Sequence, residues 1–222
     1  MSRTLILIPT QPEFDVLQPR LASVIGFGDS IELCGFGLVA AAARAAQLIA
    51  HRNPDRVLLI GIAGTFTTNL AVGSATTFRE VTCCGIGAGT GADHVAAAEL
   101  GWHQFCGPLT AGEPDATEVA VSDTIVLPGL GGSSGVVRSE RLLSLAAASA
   151  SPEEAACRRQ KFPDAMAEDM EGFGVALACE MAGVPLEIIR GISNRVGDRD
   201  RNHWRVEPAM QAAAELAIDL LR

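Results

Sequence analysis

Acidic and amide side chains gather at two places in the last quarter of the chain. Asp169 and Glu171 stand where a short predicted strand meets an apolar helix, and Asn194 and Asp198 follow a continuous apolar strand. Ligands of open α/β sheets bind at the carboxyl ends of strands, so both clusters are expected to face one crevice. Carboxylates and amides without a metal suit hydrolysis through a cationic, sugar-like transition state.

The composition restricts the class of partner. The chain has 222 residues, 48% of them hydrophobic, and a formal net charge of -9. This length and apolar content predict one domain, spanning residues 1–222. A polyphosphate surface or an anionic membrane would repel such a chain, so the composition favours a small neutral or weakly charged ligand over nucleic acid or membrane.

The cysteines and the first residues indicate the compartment. The six cysteines form no C-x-x-C pair and have no zinc-like spacing, so no metal site is predicted. The apolar run Thr4–Ile8 is too short for a signal peptide or a membrane span, and it is interpreted as a strand. A reducing cytoplasm is the expected location.

Buried strands alternate with amphipathic or alanine-rich helices along the chain. Predicted strands are Thr4–Ile8 and residues 56–61, 72–82, 117–127, 164–168 and 186–193. Predicted helices are Leu38–Arg52 and residues 13–21, 139–148, 172–181 and 207–221. Unbroken apolar strands indicate a sheet covered on both faces, so the pattern predicts an α/β fold with a mixed sheet.

Glycine-rich stretches offer weaker motifs. Residues 85–91 approach a dinucleotide fingerprint without a strict G-x-G-x-x-G, and residues 131–135 spell Gly-x-Ser-x-Gly without the strand-turn-helix setting of a nucleophile elbow. Both are interpreted as loops. Within residues 85–118, a short helix is expected near 95–100.

Three blocks carry a resemblance to a known family. Residues 162–172, Phe-Pro-Asp-Ala-Met-Ala-Glu-Asp-Met-Glu-Gly, resemble the F-P-x-A-x-x-x-E/D-M-E signature of the nucleoside phosphorylase and nucleosidase superfamily. Residues 35–37, Gly-Phe-Gly, and 61–64, Gly-Ile-Ala-Gly, are similar to two further blocks. The pattern covers nearly the whole chain and is weakest between residues 85 and 118.

Within that superfamily, Arg-Gly-Ile-Ser-Asn at 190–194 and Val-Gly-Asp-Arg-Asp at 196–200 most resemble futalosine hydrolases, the nucleosidases of the alternative menaquinone pathway. The resemblance implies a three-layer α/β/α domain that hydrolyses the N-ribosidic bond of a purine nucleoside. It also implies that no cofactor is needed, and that homodimers complete each other's sites.

The resemblance assigns catalytic roles to Glu13, Arg190 and Asn194. It assigns substrate binding to Glu171. Glu13 would activate the attacking water, although a helix-start acid favoured by the macrodipole is its alternative interpretation. Glu171 would accept both ribose hydroxyls, a task that needs a two-oxygen acceptor; a structural acid is the alternative. Arg190 would lie near the water and Glu13, where Ile62 replaces a serine that some relatives use to hold the water.

Other residues would line the substrate. Ala63 and Gly64 would bring backbone close to the ligand, and Asp169 is assigned to substrate binding with them. Met170 would pack on the ribose face, unless it is simply core. Trp204 would cover the base or the 5′ substituent, against the alternative of an ordinary core or surface tryptophan.

Asn194 departs from the aspartate of the adenine-specific methylthioadenosine nucleosidases. An amide can donate and accept hydrogen bonds, so it suits a 6-oxopurine such as the hypoxanthine of futalosine. The alternative is that Asn194 only caps a loop, while Asp198 or Asp200 donates the proton.

The first loop separates two reaction types. Phosphorylases of this fold share a Gly-Asp-Pro-x-Arg phosphate segment, whereas this loop reads Pro-Thr-Gln-Pro-Glu at residues 9–13. A carboxylate in that position favours water as the nucleophile. The expected activity is therefore futalosine hydrolysis. The alternatives are hydrolysis of methylthioadenosine, S-adenosylhomocysteine or aminodeoxyfutalosine, and nucleoside binding without catalysis.

Overall fold

The computed structural model describes residues 3–109, 118–129 and 138–222. The strands are β1 Thr4–Ile8, β2 Ser30–Leu33, β3 Arg56–Thr65, β4 Ala75–Cys84, β5 Gly87–Ala88, β6 Val95–Ala96, β7 Phe105–Pro108, β8 Glu118–Val121, β9 Thr124–Val126, β10 Arg138–Leu145, β11 Ala165–Asp169 and β12 Leu186–Arg195. The helices are α1 Gln11–Leu21, α2 Leu38–Arg52, α3 Pro152–Lys161, α4 Gly172–Ala182 and α5 Val206–Leu221.

The central sheet is mixed, as the sequence predicts. Its strand order is β11-β10-β4-β12-β3-β1-β2, and β9 adds to β4. The strands β2, β1, β3 and β12 run parallel to one another, while β4 lies antiparallel to β12 and parallel to β10. Since β11 also pairs with β3 in antiparallel fashion, five strands close into a ring that brings distant segments together.

Both faces of the sheet are covered by helices. Along β1 and β3, Leu5, Leu7 and Leu59 pack with α2 and α4, while the alternate residues Ile6 and Ile8 pack with α1 and α5. Successive side chains of a strand point to opposite faces, so a continuous apolar run fills two cores at once. The α/β/α arrangement follows from this pattern.

One predicted element is wrong. Residues 139–148 were expected to be helical, but Arg138–Leu145 is strand β10, which pairs with β4 on one side and β11 on the other. The leucines at 142, 143 and 145 are buried between these neighbours, so tertiary pairing overrides the helical propensity of the Leu and Ala residues.

Other elements differ in extent. The strand predicted at 56–61 runs on to Thr65, and the one predicted at 117–127 is divided into β8 and β9 within the described part. The short helix expected near 95–100 is strand β6 followed by a 3₁₀ turn at Ala98–Leu100. The Gly-x-Ser-x-Gly stretch at 131–135 lies outside the described residues. Within them, no helix is both long and apolar enough to cross a membrane.

Candidate active site

A buried arginine forms the centre of the site. Arg190 lies on β12 and is 0% exposed. Its Nε and Nη2 donate to Asp169 Oδ2 at 2.9 and 2.5 Å, and Nη2 lies 3.6 Å from Glu171 Oε2. A buried charge is tolerated only when it is paired, so these two carboxylates fix the guanidinium.

Asp169, assigned to substrate binding from the sequence, has both oxygens engaged within the protein. Its Oδ2 also accepts from the Gly172 backbone N–H at 2.9 Å, and its Oδ1 accepts from the Ser144 hydroxyl. Ser144 Oγ in turn accepts from the Phe173 N–H at 2.8 Å. Asp169 therefore holds the first turn of α4 and the plane of Arg190 together, and its side chain is 0% exposed.

Glu171 is the N-cap residue of α4 and points toward the same guanidinium. Its Oε1 accepts from the Gly37 N–H at 3.0 Å, in the Gly-Phe-Gly segment before α2. Gly37 has φ of +85°, which glycine adopts without strain. Burial raises the pKa of Glu171 to about 7, with Asp169 and Glu13 contributing, while Arg190 and the Gly37 hydrogen bond oppose the rise.

Glu13 combines the two roles that its sequence position allows. Its Oε2 accepts from the Thr10 backbone N–H at 3.1 Å and from the Thr10 hydroxyl, as in a capping box at the start of α1. Its Oε1 instead reaches across to the Ile62 N–H at 3.0 Å. The carboxylate therefore caps its helix and is also held to β3 at Ile62.

Glu13 and Arg190 approach one point beside Gly61. A Cβ on Gly61 would stand 2.3 Å from Arg190 Nη1 and 2.9 Å from Glu13 Oε1. Arg190 Nη1 is buried and has no hydrogen-bond partner among the described residues. A buried N–H without a partner is costly, so this donor calls for a polar atom supplied from outside the chain.

Cys34, for which the sequence predicts no role, lies beside the charged groups around Arg190. The thiol is buried at the end of β2, and desolvation raises its pKa to about 12 against the opposing charge of Arg190. Glu171 and Glu13 add to the rise. A thiol held in this protonated state is a poor nucleophile. Cys34 therefore lies close to all three charged groups, Arg190, Glu171 and Glu13.

Asn194 lies at the end of β12 beside Gly64. Its Nδ2 is 3.4 Å from the position of a Cβ on Gly64 and donates to the Arg195 carbonyl at 2.8 Å. Its Oδ1 accepts from the Ser193 hydroxyl at 2.7 Å. Ser193 also lies 3.2 Å from the Ala63 carbonyl. The amide oxygen is thus engaged within the protein, while Nδ2 keeps one N–H for a ligand.

Asp198 and Trp204 belong to the loop after β12. Asp198 Oδ2 is 2.9 Å from His203 Nδ1, and this hydrogen bond lowers the pKa of Asp198 and raises the pKa of His203. Trp204 Nε1 donates to the Asp198 carbonyl at 3.1 Å, and Arg199 lies over its ring. Trp204 and Met170 are half-buried. Among the described residues, no hydrogen bond or ion pair joins Asp198 or Trp204 to the Arg190 cluster.

A cavity of about 710 Å³ lies elsewhere, between α3, the loop before it and the segment after β4. Its lining includes none of the carboxylates around Arg190. Within the described residues, no three His, Cys, Asp or Glu side chains cluster as metal ligands would. The buried charges therefore gather around Arg190, whereas this cavity adjoins the loop at 146–151.

Comparison with known proteins is consistent with these features. Residues 30–222 match the family model of the phosphorylase superfamily. The futalosine hydrolase of Streptomyces coelicolor is 33% identical over 74% of this chain, and the match spans 64% of that protein's length. That of Thermus thermophilus is 30% identical over 84% of this chain and 78% of its own. A 5′-methylthioadenosine/S-adenosylhomocysteine nucleosidase of Maridesulfovibrio salexigens is 26% identical over 96% of this chain and 87% of its own.

Solved structures share the fold. Futalosine hydrolase of Helicobacter pylori superposes with a TM-score of 0.71 at 17% identity, covering 99% of this chain and 97% of that one. A 5′-methylthioadenosine/S-adenosylhomocysteine nucleosidase of Neisseria meningitidis, in complex with methylthio-immucillin-A, gives 0.71 at 20% identity, covering 99% and 98%. From the family match, the shared fold and the curated relatives together, we conclude that the chain belongs to the phosphorylase superfamily.

Proposed function

We propose that this chain hydrolyses the N-ribosidic bond of purine nucleosides, and that futalosine is its substrate. The observation that carries the proposal is the meeting of Glu13 Oε1 and the unpartnered Nη1 of Arg190 beside Gly61. A carboxylate acceptor and a guanidinium donor this close together are suited to share one water molecule, which the carboxylate can deprotonate.

Glu171 supplies the sugar-binding half of the site. Its Oε2 faces Arg190 at 3.6 Å, beyond hydrogen-bond distance, so this oxygen has capacity left for ribose hydroxyls. Asp169 is a positioning residue in this account, because its oxygens hold Arg190 and α4. Ala63 and Gly64 form the wall beside the sugar, and Met170 packs on its face.

The reaction is dissociative. The bond from C1′ to the purine nitrogen breaks, and its electron pair leaves with the purine. The water oxygen bonds to C1′ while Glu13 takes a proton from that water, and the purine is protonated from solvent. Holding water, sugar and base in one geometry supplies roughly several kcal/mol of the barrier reduction, because their translational freedom is already lost on binding.

The charges favour water over phosphate as the nucleophile. Arg190 is surrounded by Asp169, Glu171 and Glu13, so the cluster carries more negative than positive charge when the carboxylates are ionised. A phosphate dianion brought beside Glu13 would be repelled in a site of low dielectric. Hydrolysis rather than phosphorolysis is the consistent outcome.

Asn194 favours a 6-oxopurine. With its oxygen taken by Ser193, the amide offers a donor N–H to the base, and O6 and N7 of hypoxanthine are neighbouring acceptors. Asp198 is the weaker candidate for base protonation, because its lowered pKa keeps it ionised at neutral pH. A site built around such a hydrogen bond discriminates strongly against the wrong partner.

A second substrate class has support from the relatives. Nucleosidases named for 5′-methylthioadenosine and S-adenosylhomocysteine also match this chain over most of its length. An assay distinguishes the two substrate classes. The purified chain is incubated separately with futalosine, aminodeoxyfutalosine, methylthioadenosine and S-adenosylhomocysteine, and the released base is identified by chromatography. Fastest release of hypoxanthine supports the proposal. Fastest release of adenine assigns the chain to the second class, and no base from any of them rejects both.

A homodimer in solution is part of the same proposal. Large apolar side chains are exposed close to the site, including Phe36 at 63% and Val39 at 85%, which flank the glycine that donates to Glu171. Burial of such side chains in an interface is favourable. Light scattering at micromolar concentration is expected to give twice the mass of the chain, and a monomeric mass would contradict this part of the proposal.

A further inference from the structure

A buried carboxylate next to the site has no part in the reaction described above. Glu168, on β11, is 6% exposed, and its backbone pairs with Gly64 of β3. Its Oε1 accepts from the Ser149 N–H at 2.8 Å, and its Oε2 accepts from the Ser149 hydroxyl at 2.7 Å. Arg158 Nη1, from α3, donates to the same Oε2 at 3.0 Å.

These groups fix the loop at 146–151, between β10 and α3. Arg158 donates to the Ser149 hydroxyl through Nη1 and to the Ala147 carbonyl at 3.0 Å through Nη2. The loop is therefore fastened to β11 and to α3 by side chains rather than by strand pairing. Hydrogen bonds to charged groups are the stronger ones, so removing one charge is expected to loosen the loop without unfolding the sheet.

The end of the fastened loop packs against Gly197, in the segment that follows Asn194. Gly197, with φ of +84°, lies so close that a Cβ would be 2.6 Å from the Ser151 carbonyl oxygen. Gly64, the backbone partner of Glu168, lies beside Asn194 Nδ2. The loop end and the strand of Glu168 thus approach the segment from Asn194 to Gly197 from two sides, and Asp169, the next residue of β11, joins the Arg190 cluster.

We infer that Glu168 and Arg158 are positioning residues for base recognition, because they hold the 146–151 loop, whose end packs on the segment that follows Asn194, without touching the base themselves. This inference rests on the proposed nucleosidase function and names the part of the site that sets base affinity. It predicts that loss of the Glu168 charge weakens base binding more than sugar binding.

A purely structural role predicts something different. If the pair only stabilised the fold, its loss would lower the midpoint of thermal unfolding and leave the selectivity between base and sugar unchanged. A second buried pair makes this comparison possible. Glu187 and Arg138 lie 3.3 Å apart, their side chains are 3% and 19% exposed, and Glu187 is at the opposite end of β12 from Asn194. Glu187→Gln is the matched control.

The experiment compares the unmodified chain, Glu168→Gln, Arg158→Met, Arg158→Lys and Glu187→Gln. The inhibition constants of free hypoxanthine and of ribose are measured, with kcat and KM for the best nucleoside. For Glu168→Gln and Arg158→Met, the hypoxanthine constant and KM are expected to rise about tenfold, while the ribose constant and kcat change less than about threefold. Arg158→Lys, which keeps the charge, is expected to recover part of the loss.

Equal effects on hypoxanthine and ribose, or effects no larger than those of Glu187→Gln, would overturn the inference. Should Glu168→Gln fail to fold, the two Arg158 variants decide the matter alone. Failure of the proposed function is separate, since it would appear as no base release from any nucleoside by the unmodified chain.

Discussion

Glu13 Oε1 and Arg190 Nη1 lie 2.9 and 2.3 Å from the single point where a Cβ on Gly61 would stand. One residue comes from the start of α1 and the other from β12, and the missing side chain at Gly61 leaves room for both. The unpartnered Arg190 donor and the Glu13 acceptor, which also accepts from the Ile62 N–H, are therefore close enough for one water molecule to bridge them, as the proposed function requires.

Gly61→Ala tests whether activity depends on the close approach of Glu13 and Arg190 at Gly61. The added methyl group would overlap Arg190 Nη1 and press on Glu13 Oε1, so both groups must move. Displacing reacting groups by about 1 Å costs on the order of 100-fold in rate, and we expect a loss of kcat/KM of that size. Gly26→Ala, whose Cβ would meet only the Asp29 carboxylate at 3.3 Å, is the control and should retain the activity of the unmodified chain.

Glu13→Gln tests the general base. Glutamine can still accept hydrogen bonds at the start of α1 but cannot take a proton from water, so kcat is expected to fall about 100- to 10,000-fold. Equilibrium binding of the nucleoside should remain within a few-fold. Asp15→Asn, an exposed change on the same helix, should leave both quantities unaltered. Base release by Glu13→Gln at the normal rate would remove Glu13 from the mechanism.

The raised pKa of Glu171 gives binding a predictable pH dependence. The carboxylate is protonated below a pH of about 7 and ionised above it, and the ionised form is the better acceptor for ribose hydroxyls. KM is therefore expected to fall as pH rises through about 7. Glu171→Gln should give a high KM without this step, and a pH-independent KM in the unmodified chain would contradict the assignment.

Glu171 also makes stability depend on pH. Its pKa is raised from the ordinary value of 4.5 to about 7 in the fold, so the folded chain binds the proton more tightly than the unfolded chain. The stabilisation is fully present below pH 4.5 and is lost as pH rises through about 7. Urea unfolding at several pH values should show this loss in the unmodified chain, and a smaller one in Glu171→Gln.

Asn194→Asp tests base selection. The aspartate loses the amide N–H that the structure leaves free for a ligand, while its carboxylate keeps the partner that Ser193 provides. Hydrolysis of hypoxanthine nucleosides is expected to fall at least about 100-fold relative to adenine nucleosides, since an unmatched buried polar group costs heavily. An unchanged ratio of the two kcat/KM values would mean that Asn194 does not contact the base.

Much of the fold follows from local patterns. The alternation of apolar strands and alanine-rich helices predicts β1, α2 and α4 well, since each fills a core that its own residues define. The antiparallel pairing of β11 with β3 cannot be predicted from the sequence. It joins segments about 100 residues apart and depends on closure of the ring of strands. The incorrect helix at 139–148 has the same cause, since β4 and β11 decide its conformation.

Helix α3 was not predicted, although the sequence contains signals for its start and its end. Helix α3 begins after Ser151, which caps it, continues with Pro152 and two acids, and ends with Arg and Lys residues, the order of charges that the helix dipole favours. The helix is mainly polar and has no buried residues, so apolar periodicity does not predict it. The ion pair of Glu168 cannot be predicted either, because the sequence does not indicate that Arg158 lies across the loop.

The nucleophile is the centre of the account, and the sugar product identifies it directly. The purified chain is given futalosine in buffer with and without phosphate, and the sugar product is analysed by mass spectrometry. We predict free hypoxanthine and a free sugar without a phosphate group, formed at the same rate in both buffers. Base release that requires phosphate and yields a sugar 1-phosphate, or no base release at all, would contradict the account.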